Sequence, residues 1–172
     1  VAEVALSEAE VANTTAELDL FAQAVGELLT IWKYPDPGRV VYSESDEDLV
    51  VGGQLRSAHG TGIRALTCAA FLLGISRHCQ RRGLPHPELV VLDSPLLAYQ
   101  EPDPAKTSAE DKRLRTAGIK EAFYADLASG SIGGQVIVFE NDDPQPELTV
   151  GLTRTHFTKS ELGRYGFFPP RL

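Results

Sequence analysis

Leu89-Val90-Val91-Leu92-Asp93-Ser94-Pro95-Leu96-Leu97 is the stretch on which the fold turns. Four consecutive apolar residues ending in an acid have the pattern of a strand buried on both faces of a parallel sheet. A second apolar run, Gln135 to Phe139, has the same character. Between them, Asp111 to Ala128 reads as a helix, charged at first and then amphipathic, after a polar linker over Pro102 to Glu110 that carries two prolines. Upstream, Ile63 to Cys79 is a strong helix, with Leu66, Ala69, Ala70, Leu73 and Ile75 forming a wide apolar face. Arg81-Arg82-Gly83-Leu84-Pro85 ends it. Buried strands separated by helices indicate an α/β sandwich with a largely parallel sheet.

Further out, Arg39 to Ser43 and Asp48 to Gly52 flank the acidic turn Ser43-Glu44-Ser45-Asp46-Glu47 and read as a hairpin. Leu148 to Thr155 is expected to be a further strand. Residues 1–30 lack proline and are rich in helix formers. Val4, Val11, Leu18 and Val25 recur every seven residues. The partner positions Ser7, Thr14, Phe21 and Leu28 turn apolar only toward the C-terminal end. That is a heptad with one weak seam, as expected where a coiled coil runs into a globular body. The alternative is one amphipathic helix packed on its own domain. Pro35, Pro37 and Gly38 end the helix. The expected organisation is the end of a coiled-coil arm over residues 1–30 and a globular lobe over residues 31–172.

The 172 residues suffice for one domain with a real core. A hydrophobic share of 42% and a charged share of 23% exclude wholesale disorder. No apolar run is long enough to span a bilayer, so no membrane partner and a cytoplasmic location are expected. The net charge of −8 argues against a dedicated nucleic-acid coat. The chain contains no Met, from which a processed chain or a piece of something longer is expected. Cys68 and Cys79 lie eleven apart on one helix, too far for a disulfide. They are expected to be reduced thiols, with Cys68 in the core. His78, Cys79 and His86 fit no common zinc spacing. Arg77, Arg81 and Arg82, with Lys112, Arg113 and Arg115, read as solvated helix ends before they read as a DNA patch.

Two stretches could carry chemistry. Asp93 ends a parallel strand, where α/β sheets bind ligands. The alternative is an aspartate that caps the following turn. Arg56-Ser57-Ala58-His59-Gly60-Thr61-Gly62 places small residues and hydroxyls just before a long helix. Free N–H groups and the helix dipole favour an anion there. The alternative is a plain glycine turn.

Taken together, Gly60-Thr61-Gly62-Ile63-Arg64-Ala65 and Leu92-Asp93-Ser94-Pro95 resemble the C-terminal half of an SMC-like, ABC-type ATPase head, in particular the bacterial AAA-annotated kind. The resemblance covers about residues 15–172. It implies the C-terminal lobe of a P-loop NTPase, a mostly parallel sheet flanked by helices and preceded by a coiled-coil helix. It implies ATP and Mg2+ as cofactors. The implied partners are the N-terminal lobe of the same head, a second head in a homodimer, and DNA. Ser57, Gly60, Thr61 and Gly62 match the signature loop that meets the γ-phosphate of ATP on the opposing head. Asp93 matches the Walker B aspartate beside Mg2+, and Ser94 to Leu97 cover the loop that touches the partner head. Glu140 stands near the position of a γ-phosphate switch residue. ATP hydrolysis between two heads, in DNA repair, DNA maintenance or phage defence, is the function so implied.

The departures are specific. No Gly-x-x-x-x-Gly-Lys-Ser/Thr occurs, so the phosphate cradle is missing from this chain. Ser94 stands where these ATPases place a catalytic Glu, and a serine is a poor base without an activator. Glu140 substitutes only if the two apolar strands lie side by side. Thr61 lacks the positive charge that some relatives carry. A non-catalytic assembly module is therefore the alternative. A nuclease or DNA-binding subunit, with Asp93, Glu140 and Asp142 sharing a metal, is a further one.

Overall fold

The computed structural model describes residues 8–96, 118–141, 143–158, 160 and 163–166. Helix α1 (Glu8–Ile31) leads into the antiparallel strands β1 (Val41–Ser43), β2 (Asp48–Val51) and β3 (Gln54–Leu55). A 3-10 turn (Arg56–Ala58) opens α2 (Thr61–Arg82), which is followed by β4 (Leu89–Asp93). Then come α3 (Ile119–Ala128), β5 (Gln135–Phe139) and a 3-10 turn (Pro146–Thr149). The fold is mixed α/β, with two separate sheets among the described residues.

The expected hairpin forms and gains a third strand. Val41 faces Val50, and Val50 faces Leu55 across the next pair. β4 and β5 pair in parallel, with Leu89 opposite Gln135 and Asp93 opposite Phe139. The two apolar runs are therefore neighbours, as Glu140 required. Gly134 allows this register. Its φ is +80°, and an added Cβ would sit 2.4 Å from the Glu88 carbonyl oxygen. Gln135 N–H donates to that same oxygen at 2.7 Å. Any side chain at 134 would break the close approach.

Several expectations are corrected. The parallel sheet is two strands wide among the described residues, and the other sheet is antiparallel. β4 is covered on one face only. Val90 and Leu92 are 7% and 3% exposed, whereas Leu89 and Val91 are 45% and 49% exposed. Ile137 and Phe139 continue the open face at 36% and 42%. The helices lie on the other side. Leu148 to Thr155 is a 3-10 turn followed by residues in no paired strand. Cys68 is exposed rather than in the core. The helix expected from Asp111 is described from Ile119 onward, and Pro102 to Glu110 lies outside the described residues.

The core joins α1, α2, α3 and the covered face of β4 in one cluster. Val25 and Leu28, on the heptad seam of α1, are fully buried against this same domain, with Phe21 nearly so. The C-terminal half of the seam is thus spent within the chain, as an amphipathic helix would spend it. Gly74 of α2 lets the two helices close. A Cβ there would fall 2.5 Å from Val25 Cγ2. Trp32 ends α1 fully buried, edge-on to Phe123 of α3 with ring centroids 5.0 Å apart.

Candidate functional site

The structure sorts the expected site residues into two clusters. The first lies at the carboxyl ends of the parallel pair. Asp93, the last residue of β4, is exposed. Ser94 takes a left-handed φ of +49°, which is uncommon for a non-glycine residue and re-aims the chain after the strand. Three bonds, one between backbone groups and two to side chains, hold that turn. Ser94 N–H donates to the Phe139 carbonyl at 2.8 Å, extending the ladder by one rung. Glu140 Oε1 accepts from Leu96 N–H at 2.8 Å. Ser94 Oγ donates to Asp93 Oδ1 at 3.0 Å. Ser94 is therefore joined to Asp93, while Glu140, one residue past the end of β5, is joined to the turn after Ser94 rather than to Asp93.

Their present engagement limits what each can do. The Ser94 hydroxyl hydrogen is directed at Asp93, so the serine orients that carboxylate. Glu140 is half-buried and holds the Pro95-Leu96 turn in place. Asp142, the third acid of the metal-sharing alternative, lies outside the described residues. Among the described residues, no three His, Cys, Asp or Glu side chains are grouped as a metal site would group them.

The second cluster is the loop before α2. Gly60 is the extended residue that precedes the helix, with no side-chain cap. Arg64 N–H already bonds the Gly60 carbonyl at 2.9 Å, so α2 is fully formed from its first turn. The N–H groups of the first helical residues are the donors such a terminus presents. Thr61 is exposed, Gly62 is buried, and Ser57 is exposed in the 3-10 turn.

Two tethers fix this loop to the antiparallel sheet. Arg56 Nε donates to Asp48 Oδ1 at 2.7 Å, and the same oxygen accepts Leu49 N–H at 2.8 Å. Buried His59 donates its Nε2–H to the Val51 carbonyl at 3.0 Å. Asp48 and His59 thus position Gly60 to Gly62. Sequence reasoning missed both roles. An aspartate at the start of a strand and a histidine beside glycine give no pattern until the sheet brings them within reach.

A third polar cluster also escaped the sequence. Asp126 of α3 is buried and accepts Trp32 Nε1–H at 2.8 Å through Oδ2. Its Oδ1 accepts the Ser131 hydroxyl at 2.8 Å and lies 3.6 Å from Arg77 Nη2. Arg77 in turn donates to Ser131 Oγ at 3.1 Å. One carboxylate ties together the end of α1, the middle of α2, α3 and the loop into β5. Arg77 is thus a buried structural cation and no part of a DNA patch. Arg81 pairs with Glu27 at 2.7 Å, and Arg82 with Glu17 at 2.6 Å. Lys112, Arg113 and Arg115 lie outside the described residues.

No protein-family model matches this chain, and no curated protein matches it significantly. Among the described residues, no helix is long and apolar enough to cross a membrane.

Proposed function

We propose that this chain is the C-terminal lobe of an SMC-like, ABC-type ATPase head that hydrolyses ATP between two paired heads. The observation that carries the proposal is the parallel pairing of β4 with β5, Asp93 opposite Phe139. It puts Asp93 at the carboxyl end of a parallel strand, where open α/β sheets bind their ligands, with Glu140 just past the end of the neighbouring strand. The uncapped start of α2 at Gly60 to Gly62 supplies the second element, a set of backbone donors suited to phosphate.

The residues present fit Mg2+ and nucleotide in part. Asp93 is an exposed hard-oxygen donor, the kind that holds Mg2+ through its water shell. When bound, Mg2+ neutralises charge on the transferring phosphoryl group. Asp93 is oriented for that role by Ser94. Ser57 and Thr61 are exposed and would meet a phosphate held by the opposing head, with Gly60 half-buried and Gly62 buried behind them. Glu140 holds the turn that contacts that head. The cradle for the nucleotide itself belongs to the P-loop-bearing lobe. By resemblance, DNA repair, DNA maintenance or phage defence is the setting, with DNA as the outer partner.

Asp93→Ala in the complete protein tests this directly. ATP turnover is expected to be lost while the fold persists; unchanged turnover sinks the assignment. One observation favours a second reading, a non-catalytic assembly module. Ser94 Oγ is directed at Asp93, and Glu140 is engaged with Leu96 N–H, so neither stands ready as a base. ATP-dependent dimerisation with negligible hydrolysis in the unaltered protein would favour that reading.

A further inference from the structure

We propose that Glu140 is a positioning residue: its carboxylate clamps a strained turn after β4, and that turn fixes the direction of the Asp93 carboxylate. The consequence for ATP turnover rests on the ATPase reading above; the clamp itself does not.

The strain sits at one residue. Ser94 takes a φ of +49°, in the left-handed region that a side chain disfavours. It also precedes Pro95, and a residue before proline is pressed toward extended backbone at negative φ. Both effects push Ser94 away from the conformation it holds. A residue in such a conformation persists only where its surroundings hold it there.

The donors of the turn show what does the holding. Residues 94–96 offer two backbone N–H groups, because Pro95 has none. Both reach the end of the neighbouring strand, at the last residue of β5 and the one after it. Ser94 N–H donates to the Phe139 carbonyl at 2.8 Å, and Leu96 N–H donates to Glu140 Oε1 at 2.8 Å. The first bond is a rung of the sheet. The second is made to a side chain. Leu96 is 2% exposed and Pro95 is buried beside it, so water is a poor substitute acceptor for the Leu96 N–H. This end of the turn therefore depends on Glu140.

The other end of the turn carries the effect to Asp93. With Ser94 at its positive φ, Ser94 Oγ donates to Asp93 Oδ1 at 3.0 Å. Relaxation of Ser94 to a negative φ would carry that hydroxyl away. Asp93 is exposed, so without the bond its carboxylate would spread over several rotamers. Glu140 thus acts on Asp93 through Leu96 and Ser94. This role needs an oxygen acceptor and no negative charge, which separates it from a general base and from an electrostatic switch.

The test uses the complete natural polypeptide with Mg2+ and ATP. Glu140→Ala is expected to lower kcat about tenfold, the scale of a lost bond to a charged acceptor. KM for ATP should stay within about twofold, and the Mg2+ concentration for half-maximal turnover should rise. Glu140→Gln keeps an oxygen that can accept the Leu96 N–H, and should recover turnover to within about threefold of the unaltered protein. Equal losses in the two variants would make the charge or the proton essential and overturn the positioning role. Undiminished turnover in Glu140→Ala would overturn it as well. Hydrogen exchange reads the clamp without ATP. The Leu96 amide should exchange slowly in the unaltered protein and in Glu140→Gln. In Glu140→Ala it should exchange at least about tenfold faster while the amides of α2 stay protected. Exchange of Leu96 at loop rates in the unaltered protein, a measurement that needs neither variant, would overturn the clamp. The expected exchange pattern in a protein that turns over no ATP would uphold the clamp and overturn the ATPase reading.

Discussion

The two faces of β4 differ more than the residues on them. Val90 and Leu92 are sealed against the helices, whereas Leu89 and Val91, equally apolar, stand nearly half exposed. The same holds for β5, where Ile137 and Phe139 share the open face. On the covered side lie a single packed core and the buried Trp32–Asp126–Ser131–Arg77 cluster. On the open side the apolar side chains of Leu89, Val91, Ile137 and Phe139 are exposed. The contrast teaches that burial along this strand is decided by what packs on each face and not by the residue types.

The largest expected effect tests the covered side. Asp126→Ala would leave the Arg77 charge and the Trp32 N–H buried without their acceptor. A cost of about 3–5 kcal/mol is expected for a broken buried pair, read as a fall in the denaturant midpoint. A loss below 1 kcal/mol would mean that the cluster is wetter than its burial suggests. Next comes the direct contrast between the faces. Leu92→Ala should cost about 2–5 kcal/mol, while Val91→Ala should stay within about 1 kcal/mol because its side chain is half in water already. Similar losses from both would show that the open face is covered in solution.

Gly74→Ala probes the α1–α2 crossing. The new methyl group would overlap Val25 Cγ2, and overpacking of this kind costs about 1–3 kcal/mol. Thermal unfolding reads it; no change would mean that α1 shifts freely over α2. The smallest effect is at Glu27. Its hydrogen bond to Arg81 holds the carboxyl below its ordinary 4.5, with the charges of Arg81 and Arg77 adding to the effect and partial burial opposing it. The folded value is lowered, so the stabilisation is present above pH 4.5 and is lost as pH falls through the folded value. The pair is substantially exposed, so Glu27→Gln should cost under about 1 kcal/mol at neutral pH. It should also flatten the acid limb of the stability curve. An unchanged acid limb would remove Glu27 from that transition.

Much of the fold was legible because local patterns persist in three dimensions. The apolar spacing of residues 63–79 made α2 visible, and Gly83, at φ +64°, caps it where the sequence stops. The two short β-rich runs flanking the acidic turn Ser43 to Glu47 made the hairpin visible. The apolar run at β4 was legible as a strand, but its solvent-facing half was not. Four apolar residues in a row look alike whether one face or both are covered. The loop at Gly60 and the acid at Asp93 could be named as candidates from their positions beside a helix and a strand. Their tethers could not, because Asp48, His59 and Glu140 act across distances in sequence that no local pattern spans.

The amino-acid sequence by itself determined the main helices and the two apolar strands, since propensity and periodicity are local properties, but not the 3-10 turn at Pro146–Thr149 or the short strand at Gln54–Leu55. It also determined that an acid would end one apolar strand and that glycines would open one long helix. Only the tertiary structure decided that β4 and β5 are parallel neighbours and that Ser94 turns toward Asp93. It alone gave Asp126 its three partners and left one face of the pair exposed. Those outcomes depend on which distant residues meet, and that is set by packing and by pairing of backbone groups across the sheet.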